Sequence, residues 1–193
     1  MLARLLAIVM TAAFLAGCDI NAVPRLDEEV KASWSQVQNQ YQRRADLIPN
    51  LVETVKGYAA HERETLEAVI QARAKATSMQ LPADITQDPA AFQQFQQNQA
   101  ELSSALARLM VVVEQYPNLK ADQQFLALQS QLEGTENRIA VARKDYIGAV
   151  QTYNTEIRTI PGRWIAAVMY PEAKVKETFT AAEPAQQAPT VKF

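Results

Sequence analysis

Two places in the sequence carry side chains at spacings that chemistry could use. The first is Leu15-Ala16-Gly17-Cys18-Asp19, which holds the only cysteine of the chain. Arg4, the apolar run Leu5 to Phe14 and the small residues after it follow the layout of a secretory signal. The 13 residues from Leu5 to Gly17 fall short of the roughly 20 a spanning helix needs, and Asp19 then places a charge in the way. A Leu, two small residues and a Cys match a bacterial lipobox. There the cysteine sulfur takes a diacylglyceryl group, the chain is cut before it, and the new amino end is acylated. Each buried methylene is worth on the order of 0.8 kcal/mol, so several chains on Cys18 hold a protein at a membrane without a spanning helix. With no second cysteine, no intramolecular disulfide is expected.

The second place is His61-Glu62-Arg63-Glu64-Thr65, around the only histidine. A zinc hydrolase of the HExxH kind needs a second imidazole one helical turn on, and residue 65 is Thr, so the metal reading fails. A hydrolytic triad would also have to use His61, yet no serine elbow is present. The acidic pairs Glu28 with Glu29 and Glu62 with Glu64 read as solvated helix faces. No catalytic residue, metal or cofactor is therefore expected. Four polar residues nevertheless fall on apolar seams: Arg44, Glu62, Gln99 and Thr135. Counting back from Pro117 sets Gln99 level with Thr135, Glu136 and Asn137, which predicts a polar layer across the core. Such a layer either fixes register or lines a ligand site, and the first is favoured because no cleft can be read from sequence.

These residues need long helices to position them. Phe92, Phe95, Gln99, Leu102, Leu106, Leu109, Val113 and Tyr116 recur at spacings of three and four, a heptad seam. Asp88-Pro89 opens that helix with an N-cap acceptor and a proline that needs no partner at the first position. A second seam runs through Phe125, Leu128, Leu132, Thr135, Ile139, Ala142, Tyr146, Ala149 and Tyr153. Upstream, Leu26, Val30, Val37 and Tyr41 precede Ile48, Leu51, Val55, Tyr58, Leu66 and Val69. Pro49 interrupts them, and a proline inside a helix costs about 3 kcal/mol, so Asp46 to Asn50 is either a kink in one helix of some fifty residues or a turn between two, with the turn preferred. The prediction is an all-α, antiparallel, up-and-down four-helix bundle with helices near 25–46, 49–78, 89–116 and 119–159. Residues 1–17 form the signal peptide, 18–24 a tether, 25–178 the bundle and 179–193 a flexible tail.

Composition narrows the function classes. The formal net charge is −2, and removing residues 1–17 takes away only Arg4 and makes it −3. No basic block is present, which excludes a nucleic-acid binder. Five glycines and long stretches of good helix formers argue against a sheet protein.

The stretch WSQVQNQYQRRADLIPNLVETVKGYAAHERETLEAVIQARAKA closely resembles the LemA family of bacterial envelope proteins. So do Glu101-Leu102, Leu106, Arg108-Leu109 and EQYPNLKADQQFLALQSQLEGTENRIAVARKDYIGAVQTYN. The resemblance covers Trp34 to Asn154 and loosens after it. It implies an N-terminal membrane attachment, a long-helix bundle and no established catalytic activity. The expected role is a non-catalytic interaction or scaffold module facing the periplasm. The alternative is a ligand-binding or enzymatic bundle using the polar layer. By resemblance to enterobacterial lipoproteins, Asp19 after the cysteine signals retention at the inner membrane. At the other end, Pro189-Thr190-Val191-Lys192-Phe193 places Val191 and Phe193 on one side of an extended strand. That suits β-augmentation, with a PDZ-containing envelope protease or regulator as partner.

Overall fold

The computed structural model describes residues 19–80, 82 and 84–180. Among them the chain is all-helical: α1 Ala22–Tyr58, α2 Arg63–Ser78, α3 Pro89–Val113, α4 Pro117–Lys120, α5 Gln123–Arg158 and α6 Gly162–Met169, with a 3-10 turn at Ile85–Gln87. The expected signal peptide, the tether residue Cys18 and the tail residues Val191 and Phe193 lie outside the described residues.

Cross-helix contacts fix the directions. Arg44 of α1 meets Glu136 of α5, and Tyr58 donates to Asp122, the N-cap of α5, so the two longest helices run antiparallel. Lys75 of α2 pairs with Glu101 of α3, while Glu62 just before α2 meets Tyr116 just after α3; these two are antiparallel as well. Trp34 packs on Phe92 and Phe95, and Arg44 on Gln99, so α1 and α3 point the same way. Asp88 caps α3 by accepting from the amides of Ala90 and Ala91, and Pro89 opens it, as the sequence indicates.

The turn expected at Asp46 to Asn50 is not there. α1 runs unbroken for 37 residues through Pro49. Proline removes one hydrogen bond and leaves the carbonyl four residues back without its donor. Here that carbonyl belongs to Ala45, and it accepts from Arg73 Nε of α2 at 2.8 Å. Pro49 itself faces solvent. The buried seam Leu26, Val30, Trp34, Val37, Tyr41, Arg44, Ile48, Leu51 and Val55 keeps its spacing straight across the proline. The break falls instead at Ala59 to Glu62, where the helical spacing lapses: Tyr58 and His61 are exposed, and after the buried Ala59 the next buried position is Leu66. The second seam shifts by one at its end, with Val150 rather than Ala149 fully buried.

Two further boundaries move. α1 starts at Ala22, and both Ala22 and Val23 are buried, so the tether ends before residue 25. At the other end, the tail expected to be free from residue 179 begins inside the fold. After a turn at Pro171 and Glu172 the chain from Ala173 to Thr180 runs as a non-helical strap, and Phe179 lies against Trp34, Phe92 and Tyr146. Asn154 clamps the strap, donating to the Lys176 carbonyl and accepting from its amide, both at 2.9 Å. Tyr146 Oη donates to the Glu177 carbonyl, and the Glu177 amide donates to Thr86 O.

The Arg73 contact predicts a double-mutant cycle. Arg73→Met leaves the Ala45 carbonyl without a donor and is expected to cost about 1–3 kcal/mol. In a Pro49→Ala background, where the residue 49 amide can reach Ala45, the same substitution is expected to cost clearly less. Equal losses in both backgrounds, measured by denaturant unfolding, would show that Arg73 does not stand in for the missing bond.

Candidate functional site

The polar layer forms around Arg44. The residue is only 1% exposed, although its charge would be costly to bury alone. Its Nη1 donates to Glu136 Oε1 and to Ser103 Oγ, each at 2.9 Å. Nη2 donates to Gln99 Oε1 at 2.6 Å and more weakly to the Gln99 carbonyl at 3.3 Å. The guanidinium carbon stands 5.0 Å from the centroid of the Tyr41 ring. Ser103 Oγ donates back to the Gln99 carbonyl, closing the knot across α1, α3 and α5. Among the described residues, Arg44 Nε and Gln40 Oε1, one turn apart on α1, are the buried side-chain atoms without a protein partner.

The knot sits on the boundary between two halves of the core. On one side lie aliphatic residues such as Ile48, Leu51, Val55, Leu102, Leu106 and Leu132. On the other lie Trp34, Tyr41, Phe92, Phe95, Tyr146 and Phe179.

Of the five residues assigned to the layer by sequence, the structure brings two, Gln99 and Glu136, onto one group. Thr135 is fully buried at the same level but donates to Gln131 O of its own helix. Asn137 lines an open groove of 550 Å³ between α1 and α5, beside Ser33, Gln36 and Asp145. Glu62 lies at the far end of α3, where it accepts from Tyr116 Oη at 2.8 Å. That hydrogen bond, with a little desolvation, raises the Tyr116 phenol above its usual range. From Gln99 to the end of α3 at Val113 is about 21 Å, so Glu62 and Gln99 cannot share a ligand. Ser103 escaped sequence reasoning because a serine next to an apolar seam looks like an ordinary surface residue. An open groove of 400 Å³ lined by Tyr41, Thr77, Met79, Phe95 and Gln99 also borders the knot.

A second buried charge was also missed. Lys176 on the strap is almost fully buried; its Nζ reaches Asp27 Oδ1 at 2.6 Å and stands 5.1 Å from the Tyr153 ring centroid. Asp27 also takes Lys31 Nζ at 2.8 Å. Burial works against the Asp27 carboxylate, but hydrogen bonds and charge from Lys176 and Lys31 outweigh it and hold its pKa below 3.8. Burial, helped by the Asp27 charge, pushes the Tyr153 phenol up to about 12. Lys176 lies in the last residues assigned to the bundle, just before the expected tail, and nothing in its local sequence marks it for burial. Among the described residues no cluster of three His, Cys, Asp or Glu side chains could hold a metal.

The fold and this site define an all-helical protein whose buried polar groups serve one another across helices. The family model of the LemA family matches residues 33–193, and the chain belongs to that family. Among curated relatives, Magnetosome protein MamQ 2 of Paramagnetospirillum magneticum is 27% identical over 167 residues, covering 77% of this chain and 60% of the relative. Magnetosome protein MamQ of Magnetospirillum gryphiswaldense is likewise 27% identical over 164 residues, with the same shares. Protein LemA of Metamycoplasma hominis is 24% identical over 143 residues, 72% of this chain and 59% of the relative. The matched part thus spans about 60% of the length of these relatives.

The Lys176–Asp27 pair has a measurable sign. A depressed folded-state pKa stabilises the fold above the unfolded carboxylate value, and that contribution is lost as pH falls through the folded value. The Asp27 carboxyl carbon, followed by NMR, is expected to titrate below 3.8. Lys176→Met is expected to move that midpoint upward. An unchanged midpoint would mean Lys31 alone sets it.

Proposed function

We propose that this chain is a membrane-anchored envelope lipoprotein of the LemA family that acts as a non-catalytic interaction module. Its four long helices act as one up-and-down bundle held at the periplasmic face of the inner membrane. The observation that carries this reading is Leu15-Ala16-Gly17-Cys18 placed four residues before the first residue of α1, so a lipid on Cys18 would be coupled directly to the fold. Among the described residues no helix is long and apolar enough to cross a membrane, which is consistent with attachment by lipid. Asp19 supplies the inner-membrane signal. The partners are envelope proteins, including a PDZ-bearing protease or regulator that would take Val191 and Phe193 as an added strand.

Support for the non-catalytic role comes from Arg44, whose two Nη groups are held by Gln99, Ser103 and Glu136 and whose one unpartnered donor, Nε, is buried rather than presented to a cleft. The alternative, a ligand-binding or enzymatic bundle, would need a charged group left over for substrate, and it rests on the groove beside Gln99 alone.

The test is mass spectrometry of the protein extracted from membranes, joined to crosslinking in cells. The expected mature chain begins at a lipid-bearing Cys18, and Cys18→Ser should leave a precursor or a soluble form. Residues 1–17 still attached to the native chain would refute the anchor. Phe193→Asp is expected to lose a partner that the native chain recovers. Recovery of the same partners by both forms would assign recognition to the helical faces.

A further inference from the structure

α6 leaves an apolar face uncovered. Trp164 and Val168, one turn apart, are 63% and 83% exposed, while Gly162 and Ala166 on the opposite side are buried. The close seat of α6 on the end of α5 depends on Gly162, because any Cβ there would overlap the Glu156 carbonyl oxygen. The helix is thus held with its outer face fixed toward solvent. Ile160 just before it and Met169 at its end are exposed as well, on neighbouring sides of the same short element. Large apolar side chains exposed together on one helix face mark an interaction surface.

The location of the patch points to what covers it. Tyr170, the residue after α6, donates through its hydroxyl to the carbonyl of Ile20. Ile20 is itself half exposed and lies two residues from Cys18. The apolar face and Ile20, two residues after the attachment point in sequence, therefore occupy the same end of the molecule. Resting on the lipid anchor at Cys18, we propose that α6 is a second membrane contact. It lies in the bilayer interface, with Trp164 and Val168 among the headgroups and upper acyl chains and Ile20 beside them. An indole with an apolar body and one N–H suits that depth. A helix of eight residues binds a membrane weakly by itself. Tethering by lipid at Cys18 makes the second contact intramolecular, so a small apolar face suffices. In sequence α6 is flanked by Arg158, Arg163 and Lys174 but also by Glu156 and Glu172, so the segment carries no net excess of basic charge. Apolar insertion rather than attraction to anionic lipid therefore drives the contact, and neutral phosphatidylcholine is enough.

The test uses full-length lipidated protein purified from membranes and reconstituted into phosphatidylcholine vesicles with or without brominated acyl chains. Subtracting the emission of Trp164→Phe isolates Trp164 from Trp34, which lies in the aromatic core. Brominated lipid is expected to remove most of the Trp164 emission and to leave Trp34 unchanged. Val168→Asp, at a position too exposed to disturb the core, is expected to relieve the quenching without changing the melting temperature. Unquenched Trp164 in a protein whose Cys18 carries lipid overturns this contact alone. If it also elutes as a dimer, the face belongs to a second copy and the membrane contact is again overturned. Absence of lipid on Cys18 overturns the anchor and this contact together.

Discussion

A single buried guanidinium organises the fold. Arg44 lies on the seam of α1 where a hydrocarbon would be the simpler choice, and its two Nη groups are satisfied only if α3 presents Gln99 and Ser103 while α5 presents Glu136. A shift of any of the three helices by one residue would leave a buried charge unpaired, at a cost of several kcal/mol. Apolar heptad seams tolerate such shifts far better, because one leucine resembles the next. The knot thus converts a set of long, repetitive helices into one register, and it divides the core into an aliphatic half and an aromatic half.

Anchoring at Cys18 would set the two halves in different surroundings. The aromatic half lies at the end where α1 begins, where the strap closes over Trp34 and where α6 shows Trp164 and Val168. α1 spans 37 residues, so the aliphatic end stands about 55 Å away. A chain held at Cys18 would project that end, with its α1–α2 turn and the Tyr58–Asp122 contact, well beyond the headgroups. The rigidity this requires depends on Pro49 remaining inside a continuous helix, which the Arg73 contact permits.

Much of the helical order was legible because the seams of α3 and α5 repeat without interruption, and Asp88-Pro89 marks a start that the structure uses. The error at Pro49 came from weighing its local cost above the seam: Arg44, Ile48 and Leu51 keep their spacing across it. The compensating donor, Arg73, comes from another helix, and a local reading cannot see it. The polar layer was half legible. Gln99 and Glu136 could be levelled by counting from a tight turn, but the residue that joins them, Arg44, lies on a helix connected by a longer path. Glu62 fell out because its seam was extended through a turn at Ala59 to Glu62. The strap was least legible: Lys176 and Phe179 are buried by contacts with residues far away in sequence, and the expected start of the tail at 179 cut between them.

The claim that Arg44 sets the register is open to one direct measurement. Spin labels placed at Glu53→Cys and Ala127→Cys, in a Cys18→Ser background, report the offset of α1 against α5 by pulsed electron spin resonance. In the native knot a single narrow distance is expected. Replacing the knot with hydrocarbon, Arg44→Met with Gln99→Leu and Glu136→Leu, is expected to keep or raise the melting temperature while splitting the distance into more than one population. One unchanged narrow distance in that variant would show that the apolar seams alone hold the register.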